Sequence, residues 1–278
     1  MHAKSESVME NAAGLRLLVD DRNVPALRIE MPEGSNHDAV RVVFPEHITA
    51  RRSGSQVPRH LYLAGEAQPM APPVWRQDDQ SWEYQRNLDG VHLLARVLLE
   101  DDGACFRYEF TNQSSVSLDM IYAVTDPWLG SFFHDVRLER TYVHHADGFD
   151  LLASETPERL VLPLNRWLPS RYTASCTWPV PPKRVQHRDD GVIQYNKSRP
   201  IDQPLIATVS IDHSWIAASF AREVGNVWTN PEITCLHADP QICLPAGQRK
   251  AVEIKLLIFR GSLDQALHKV KQQRETLD

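Results

Sequence analysis

The sequence VHLLARVLL, residues 91–99, decides the fold class, because every odd-numbered residue in it is apolar. His92, Arg96 and the following Glu100 lie at even positions, on the other side of the alternation. Successive side chains of an extended strand point to opposite faces, so this spacing predicts a strand with one buried face. A helix would instead bring apolar residues together at intervals of three and four.

The same alternation recurs along the chain. It extends over three further segments, Phe106–Phe110, Leu205–Ile211 and Val252–Ile258. Shorter apolar segments with strand character are Leu15–Leu18, Leu27–Met31, Val40–Phe44, Leu61–Leu63, Trp82–Arg86, Leu138–His144, Val192–Tyr195 and Trp215–Phe220. So many strands, with almost no helical pattern, predict an all-β protein built as a large antiparallel β-sandwich or barrel.

One helix is predicted, at the C-terminus, over about residues 262–275. Ser262 and Gln265 have the spacing of a capping box, and apolar residues follow at helical intervals. Two proline-rich stretches, 69–73 and 178–182, are predicted to be surface loops, the second continued by a charged run at 183–190. Strand patterning resumes on both sides of each loop, so the sequence predicts a single domain over residues 1–278.

Composition excludes several classes of function. The net charge of −6 argues against nonspecific nucleic-acid binding, which needs an excess of Lys and Arg. The 12 glycines lie too far apart for a dinucleotide fingerprint, a Walker A loop or a nucleophile elbow, so no cofactor is expected. No apolar run predicts a membrane span. The four cysteines form no C-x-x-C pair and the N-terminus has no apolar signal region, which predicts a reduced, cytoplasmic protein.

Histidine spacing predicts no metal site. The 12 histidines form no H-x-H, H-x-x-H or H-x-x-x-H pair, so the compact spacings of zinc enzymes are missing. A site assembled from distant strands stays open.

The densest polar cluster is NVWTNPEITCLHADP, residues 226–240. If Cys235–Asp239 is a strand, Cys235, His237 and Asp239 share one face. A carboxylate beside a histidine stabilises its protonated form and fixes its tautomer, which favours acid–base chemistry. The same triplet also suits a metal, or simply a buried cysteine beside a hydrogen-bonded histidine. A Cys–His nucleophile pair is disfavoured, because alternate strand residues lie about 6.6 Å apart along the strand.

A second cluster begins with Asp126-Pro127-Trp128 at the end of a strand and continues through His134 and Asp135. Arg140, Tyr142 and His144 then alternate along the next candidate strand. This pattern is typical of a solvent-exposed polar face. It also suits a concave sheet that binds a hydroxyl-rich ligand, because charged side chains bind hydroxyl groups and tryptophan offers a flat apolar face.

FRYEFTNQSSVSL, residues 106–118, followed by Asp126-Pro127-Trp128, resembles the centre of the aldose 1-epimerase (galactose mutarotase-like) proteins. In that family a strand ending in Thr-Asn leads through a short polar turn into another strand and then into His-Pro-aromatic. The resemblance implies a supersandwich of antiparallel sheets. Asp126 occupies the position of the family's catalytic histidine, and Glu232 is the glutamate best placed, by order along the chain, for its general base.

We therefore expect a carbohydrate-active enzyme of mutarotase-like fold that acts on a sugar or oligosaccharide by acid–base chemistry. The expected catalytic residues are His237, Asp239 and Asp126. The expected substrate-binding residues are Trp128, Arg140, His144, Trp228 and Asn230. Epimerase, lyase and hydrolase chemistry stay open. The alternatives are a non-catalytic carbohydrate-binding or assembly module, and a β-sandwich metalloenzyme that uses His237, Asp239 and His144.

The strand pattern predicts a circular dichroism spectrum dominated by β-structure. Because the sequence contains one convincing helical segment, we expect a helix content well below the third that is ordinary for globular proteins. A spectrum with a third or more helix would contradict the β-sandwich.

Overall fold

A computed structural model of the chain describes residues 8–20, 24–32, 39–65, 71–78, 81–155, 170–175, 185–187 and 193–278. The chain is all-β and mostly antiparallel, as the alternation predicts. Its strands are β1 (Met9–Glu10), β2 (Arg16–Asp20), β3 (Ala26–Glu30), β4 (Val40–Val43), β5 (His47–Arg52), β6 (Arg59–Leu63), β7 (Arg76–Gln77), β8 (Ser81–Leu88), β9 (Val91–Glu100), β10 (Gly103–Asn112), β11 (Leu118–Ala123), β12 (Asp126–Trp128), β13 (Thr141–His145), β14 (Gly148–Leu151), β15 (Ser170–Ser175), β16 (Val185–His187), β17 (Ile193–Asn196), β18 (Leu205–Val209), β19 (Trp215–Ala221), β20 (Asn226–Thr229), β21 (His237–Ala238), β22 (Ile242–Leu244) and β23 (Arg249–Arg260). Its helices are α1 (Gly130–Phe133) and α2 (Leu263–Gln273), the latter followed by a 3-10 turn at Arg274–Thr276.

β9 pairs antiparallel with β10 along its whole length and with β8 over Val91–Leu98. The predicted alternation is confirmed, because Val91, Leu93, Ala95 and Val97 are buried and the residues between them are not. Asp89 and Gly90 connect β8 to β9 with φ angles of 43° and 85°. Left-handed backbone at both positions is what a tight two-residue hairpin requires, and Asp-Gly is a favoured pair there.

The structure divides into two compact units. Unit one comprises Met1–Pro127 and Ile242–Glu253, and unit two comprises Trp128–Gln241 and Ile254–Asp278. β23 contributes its first residues to unit one and the rest to unit two. The expectation of one domain over residues 1–278 stays a prediction.

Unit one contains three sheets, with strand orders β1-β2-β3-β4-β12, β22-β11-β5-β6 and β10-β9-β8-β7, the start of β23 lying beside β10. Phe44 is completely buried in its core, with ring centroids 4.6 Å from Tyr108 and 5.0 Å from Phe106. The hydroxyl of Tyr84 donates to the Phe44 carbonyl at 2.5 Å. The residue after β4 is thus held to the inner face of the β8–β10 sheet by ring packing and a hydrogen bond.

Unit two contains two sheets, with strand orders β14-β13-β18-β19, continued by the rest of β23, and β16-β17-β15-β20-β21. β18 and β19 lie against β21, and α2 also packs on both of them. Every residue of β19 is buried, as expected of a strand covered on two faces. Of the described helices, none has the length and apolar character needed to cross a membrane.

The predicted C-terminal helix is confirmed as α2. The Ser262 side chain accepts the Gln265 N–H, and the Gln265 side chain accepts the Ser262 N–H, which completes the capping box. Residues 71–73 of the first proline-rich stretch have no regular structure, and stretch 178–182 lies outside the described residues. Part of the charged run at 183–190 was expected to be a loop, but its residues Val185–His187 pair with β17 as strand β16.

A buried lysine ties β17 to the β14 hairpin in unit two. Lys197 is only 2% exposed, and its ammonium group donates to Asp150 Oδ2 (2.7 Å), the Leu151 carbonyl (2.9 Å) and Ser154 Oγ (2.8 Å). All three donors of the ammonium therefore have acceptors. Burial alone would raise the pKa of Asp150, but hydrogen bonds from Lys197 and Ser154 together hold that pKa below its ordinary value.

We expect Lys197→Met to lower the free energy of unfolding by about 1–3 kcal/mol near neutral pH, because it leaves three acceptors without their donor. The folded-state pKa of Asp150 is lowered, so its stabilising contribution is present above the ordinary aspartate pKa of about 3.9 and is lost as the pH falls through the lowered value. The difference in free energy of unfolding between the wild type and the variant, measured with urea, should therefore be smaller at about pH 3 than at neutral pH.

Lys250→Met is the matched control, because Lys250 is exposed on β23. An equal effect of the two variants, or a deficit independent of pH, would contradict this role of Lys197.

Candidate functional site

The polar segment predicted at residues 226–240 forms the β20–β21 hairpin of unit two, in which Trp228 lies opposite His237. In the turn between the strands, Thr234 is completely buried and has a φ of 49°. Left-handed backbone is strained for a β-branched residue, and such strain is concentrated at functional sites. The Thr234 hydroxyl accepts the Asp135 N–H at 2.8 Å, which holds the turn against the segment that follows Trp128.

Cys235, His237 and Asp239 form a buried row. His237 Nε2 lies 3.0 Å from Cys235 Sγ, and His237 Nδ1 lies 3.5 Å from Asp239 Oδ2. Their exposed fractions are 2%, 0% and 4%, respectively. The spacing argument against Cys–His contact fails here, because only His237 and Ala238 belong to the regular strand and the side chains lean toward each other.

Two tryptophans flank this row. Trp128 forms an isolated antiparallel bridge with Cys235, and the Trp228 ring stacks on His237 with centroids 3.6 Å apart and planes 1° from parallel. Residues opposite each other in an antiparallel pair carry their side chains on the same face. Trp128, Cys235, His237 and Trp228 therefore share one face, with Trp128 37% exposed and Trp228 half-buried.

Asn230, predicted to bind substrate, makes hydrogen bonds within the turn, and its role as a substrate ligand stays a prediction. Its main-chain N–H donates to Cys235 Sγ at 3.3 Å. Its side-chain Oδ1 accepts the Glu232 N–H at 3.1 Å. Glu232, the glutamate best placed by order along the chain for the family's general base, is half-buried, and its carbonyl accepts a hydrogen bond from His134 Nε2 at 3.0 Å.

The row brings three titratable side chains together. Cys235 Sγ faces both an imidazole nitrogen and a main-chain N–H, and donors of this kind stabilise a thiolate. The Asp239 carboxylate, on the other side of the ring, favours the imidazolium. The row therefore places a thiol, an imidazole and a carboxylate side by side, which are groups of the kind that general acid–base chemistry uses.

Arg140 is engaged by the main chain. Its guanidinium donates to the Val209 and His134 carbonyl oxygens, each at 2.5 Å. The main chain of Arg140 is held as well, because its N–H donates to Asp135 at 2.8 Å. In this conformation Arg140 fixes the segment between Trp128 and β13, and its role as a sugar ligand stays a prediction.

His144 belongs to a different set of contacts. Its Nδ1 donates to Asp202 Oδ1 at 2.6 Å, and its ring packs edge-on against Phe149 at 4.9 Å. Asp126, the remaining predicted catalytic residue, lies on β12 in unit one and is buried. The catalytic role of Asp126 also stays a prediction.

Asp135 organises the turn before β13 through its carboxylate, a role that was not predicted from the sequence. Its carboxylate accepts the Glu139 N–H, the Arg140 N–H and the Thr141 hydroxyl, at 3.1, 2.8 and 2.8 Å. The sequence signal was the His134-Asp135 pair itself, which marked the region as polar but could not distinguish a turn-organising carboxylate from a ligand-binding one.

No protein-family model matches this sequence, and no curated protein matches it either. Solved structures do. A galactose mutarotase-like protein from Lactobacillus casei aligns with 92% of this chain and 100% of its own, at 11% identity and a TM-score of 0.50. A galactose mutarotase related enzyme from Lactobacillus acidophilus aligns with 93% of this chain and 98% of its own, at 10% identity and a TM-score of 0.51.

A third similar structure is the alpha-N-acetylgalactosaminidase NagBb from Bifidobacterium bifidum, at 11% identity and a TM-score of 0.51. The match covers 97% of this chain but 39% of that larger protein. Identities this low show shared architecture and leave activity open. The resemblance seen in residues 106–128 is thus confirmed at the level of structure: the chain has the galactose mutarotase-like fold.

Proposed function

We propose that this protein is a carbohydrate-active enzyme that acts on a sugar by acid–base chemistry, with His237 and Asp239 as the acid–base pair. The observation that carries the proposal is the Cys235–His237–Asp239 row with a tryptophan on either side of it on one face. The names of the similar structures, two mutarotase-related proteins and an alpha-N-acetylgalactosaminidase, support a carbohydrate as the substrate.

Trp128 is the side chain best placed to meet a sugar. It combines a flat apolar ring with substantial exposure, and sugars present C–H faces that pack on such rings. Its main-chain bridge to Cys235 fixes the ring beside the row. A sugar that stacks on Trp128 is therefore held next to the groups that carry the proton.

Proton transfer needs a route, because His237 has no exposed surface. Either the proton passes through Cys235, whose Sγ contacts Nε2, or the Trp228 ring that stacks on His237 moves when the sugar binds. In both cases Asp239 stabilises the imidazolium while the ring holds the proton. Anomeric interconversion and bond cleavage use these same groups, so the reaction type is decided by the assay.

A second candidate function is carbohydrate binding without catalysis. The complete burial of His237 beneath Trp228, together with the exposure of Trp128, favours it. In that case the row contributes hydrogen bonds to the fold alone.

The two functions separate in one experiment on a panel of aldoses and oligosaccharides, with anomer exchange and bond cleavage followed by NMR and binding followed by calorimetry. For an enzyme, His237→Ala should lower turnover about 10²–10⁴-fold because it removes the proton-transfer group. Trp128→Ala should mainly weaken binding. His268→Ala, an exposed histidine on α2, is the control and should change neither.

Sugar binding without turnover, weakened by Trp128→Ala, would support the binding protein instead. His237→Ala would then lower only the free energy of unfolding, by about 1–3 kcal/mol, through its lost buried contacts. If no sugar of the panel binds to the wild type, both candidate functions are contradicted.

A further inference from the structure

Arg86, in unit one, lies on the inner side of a strand. Trp82, Tyr84 and Leu88 alternate along β8 and are buried, and Arg86 occupies the same side of the strand with only partial exposure. The residues between them face the other way. A guanidinium on an otherwise apolar strand face costs free energy unless partners compensate it.

Two aromatic rings contact this guanidinium, and two more pack beside them. Its Cζ lies 5.1 Å from the Tyr62 ring centroid and 5.7 Å from that of Tyr84. Trp75 packs on Tyr84 at 4.8 Å and on Trp82 at 6.5 Å. Arg86 with these four rings is called the Arg86 cluster below, and it combines a positive charge with flat apolar surfaces.

The cluster lacks a negative charge. Among the described residues Arg86 forms no ion pair, and its buried Nε has no hydrogen-bond acceptor. On the other face of the same strand, Glu83 pairs with Arg96 of β9 at 2.7 Å, so that carboxylate is already used. The partners of Arg86 in the described structure are uncharged, namely the Tyr62 and Tyr84 rings and the Tyr84 side chain to which it hydrogen-bonds, so the guanidinium keeps its capacity for an anion.

The tyrosines do not supply the charge either. Burial raises the pKa of Tyr62 and Tyr84, and the opposing effect of Arg86 lowers each pKa only in part. Both phenols therefore stay neutral near neutral pH, since the ordinary tyrosine pKa of about 10 is already high. In the described structure, no ionised side chain contacts the guanidinium and balances its charge.

We propose that the Arg86 cluster binds the anionic group of a sugar, a phosphate or a carboxylate, with the aromatic rings packing on the rest of the ligand. The guanidinium fork matches the oxygens of both anions, and the rings provide the apolar face. The sugar part of this inference rests on the proposed function, whereas the anion part rests on Arg86 and its surroundings alone.

Calorimetry with four probes tests the proposal: inorganic phosphate, glucose, glucose 6-phosphate and glucuronate. The wild type should bind at least one charged sugar more tightly than glucose. Arg86→Gln should weaken that binding about ten-fold or more, because charge-assisted hydrogen bonds are lost. Arg76→Gln removes the same charge from an exposed site on β7 and should leave the affinity unchanged.

Arg86→Lys keeps the charge without the fork, so an intermediate affinity is expected even if Arg86→Gln folds poorly. Dependence on Arg86 with glucose 6-phosphate alone identifies a phosphate as the bound group, and dependence with glucuronate alone identifies a carboxylate. Arg86-dependent binding of inorganic phosphate, with no sugar bound anywhere, supports the anion site and contradicts the proposed function. Unchanged affinity in both Arg86 variants, or no anion binding by the wild type, overturns the proposal.

Discussion

The pairing of β9 with both of its neighbours is the constraint on which unit one depends. Ten consecutive residues of β9 face ten of β10, so the register cannot shift without breaking the whole ladder. The two-residue turn at Asp89-Gly90 fixes the register on the other side. A slip by one residue would turn every inward side chain outward, which apolar burial prohibits. Phe44 can then pack on Phe106 and Tyr108, and Arg86 lies on the same side of β8 as Trp82 and Tyr84.

The Cys235 row is a different kind of structure, because its polar groups are held out of water. Buried polar groups are costly unless each finds a partner, so such networks define one arrangement closely. Three contacts support the row from its surroundings, namely the Trp228 ring, the Asn230 N–H and the bridge to Trp128. The strained backbone of Thr234 is compensated by its hydrogen bond to Asp135. Such an arrangement is expected where a precise placement of side chains is maintained at a cost in folding stability.

Features that depend on local periodicity could be predicted from the sequence. Side-chain contacts could not be predicted where the backbone is irregular. The alternation in β9 and β10 and the Ser262 capping box depend on spacing alone, and both are confirmed. The hairpin at residues 226–240 was recognised as polar, but the Cys235–His237 contact was disfavoured on the geometry of a regular strand, which holds for only two residues there. Arg140 illustrates the second limit: residue type suggested a ligand group, and that role stays a prediction, but no side-chain pattern reveals that its guanidinium also donates to two main-chain carbonyls.

Neither unit is a continuous piece of the chain, and this has a consequence for synthesis on the ribosome. β11 pairs with β5 on one side and, on the other, with β22, which is translated more than 100 residues later. Until residues 242–244 have left the ribosome, that side of β11 is an open sheet edge, which can pair with strands of other chains. The sheet of β5, β6 and β11 is therefore incomplete until β22 has been translated, and the nascent chain is exposed to mispairing at that edge during the interval.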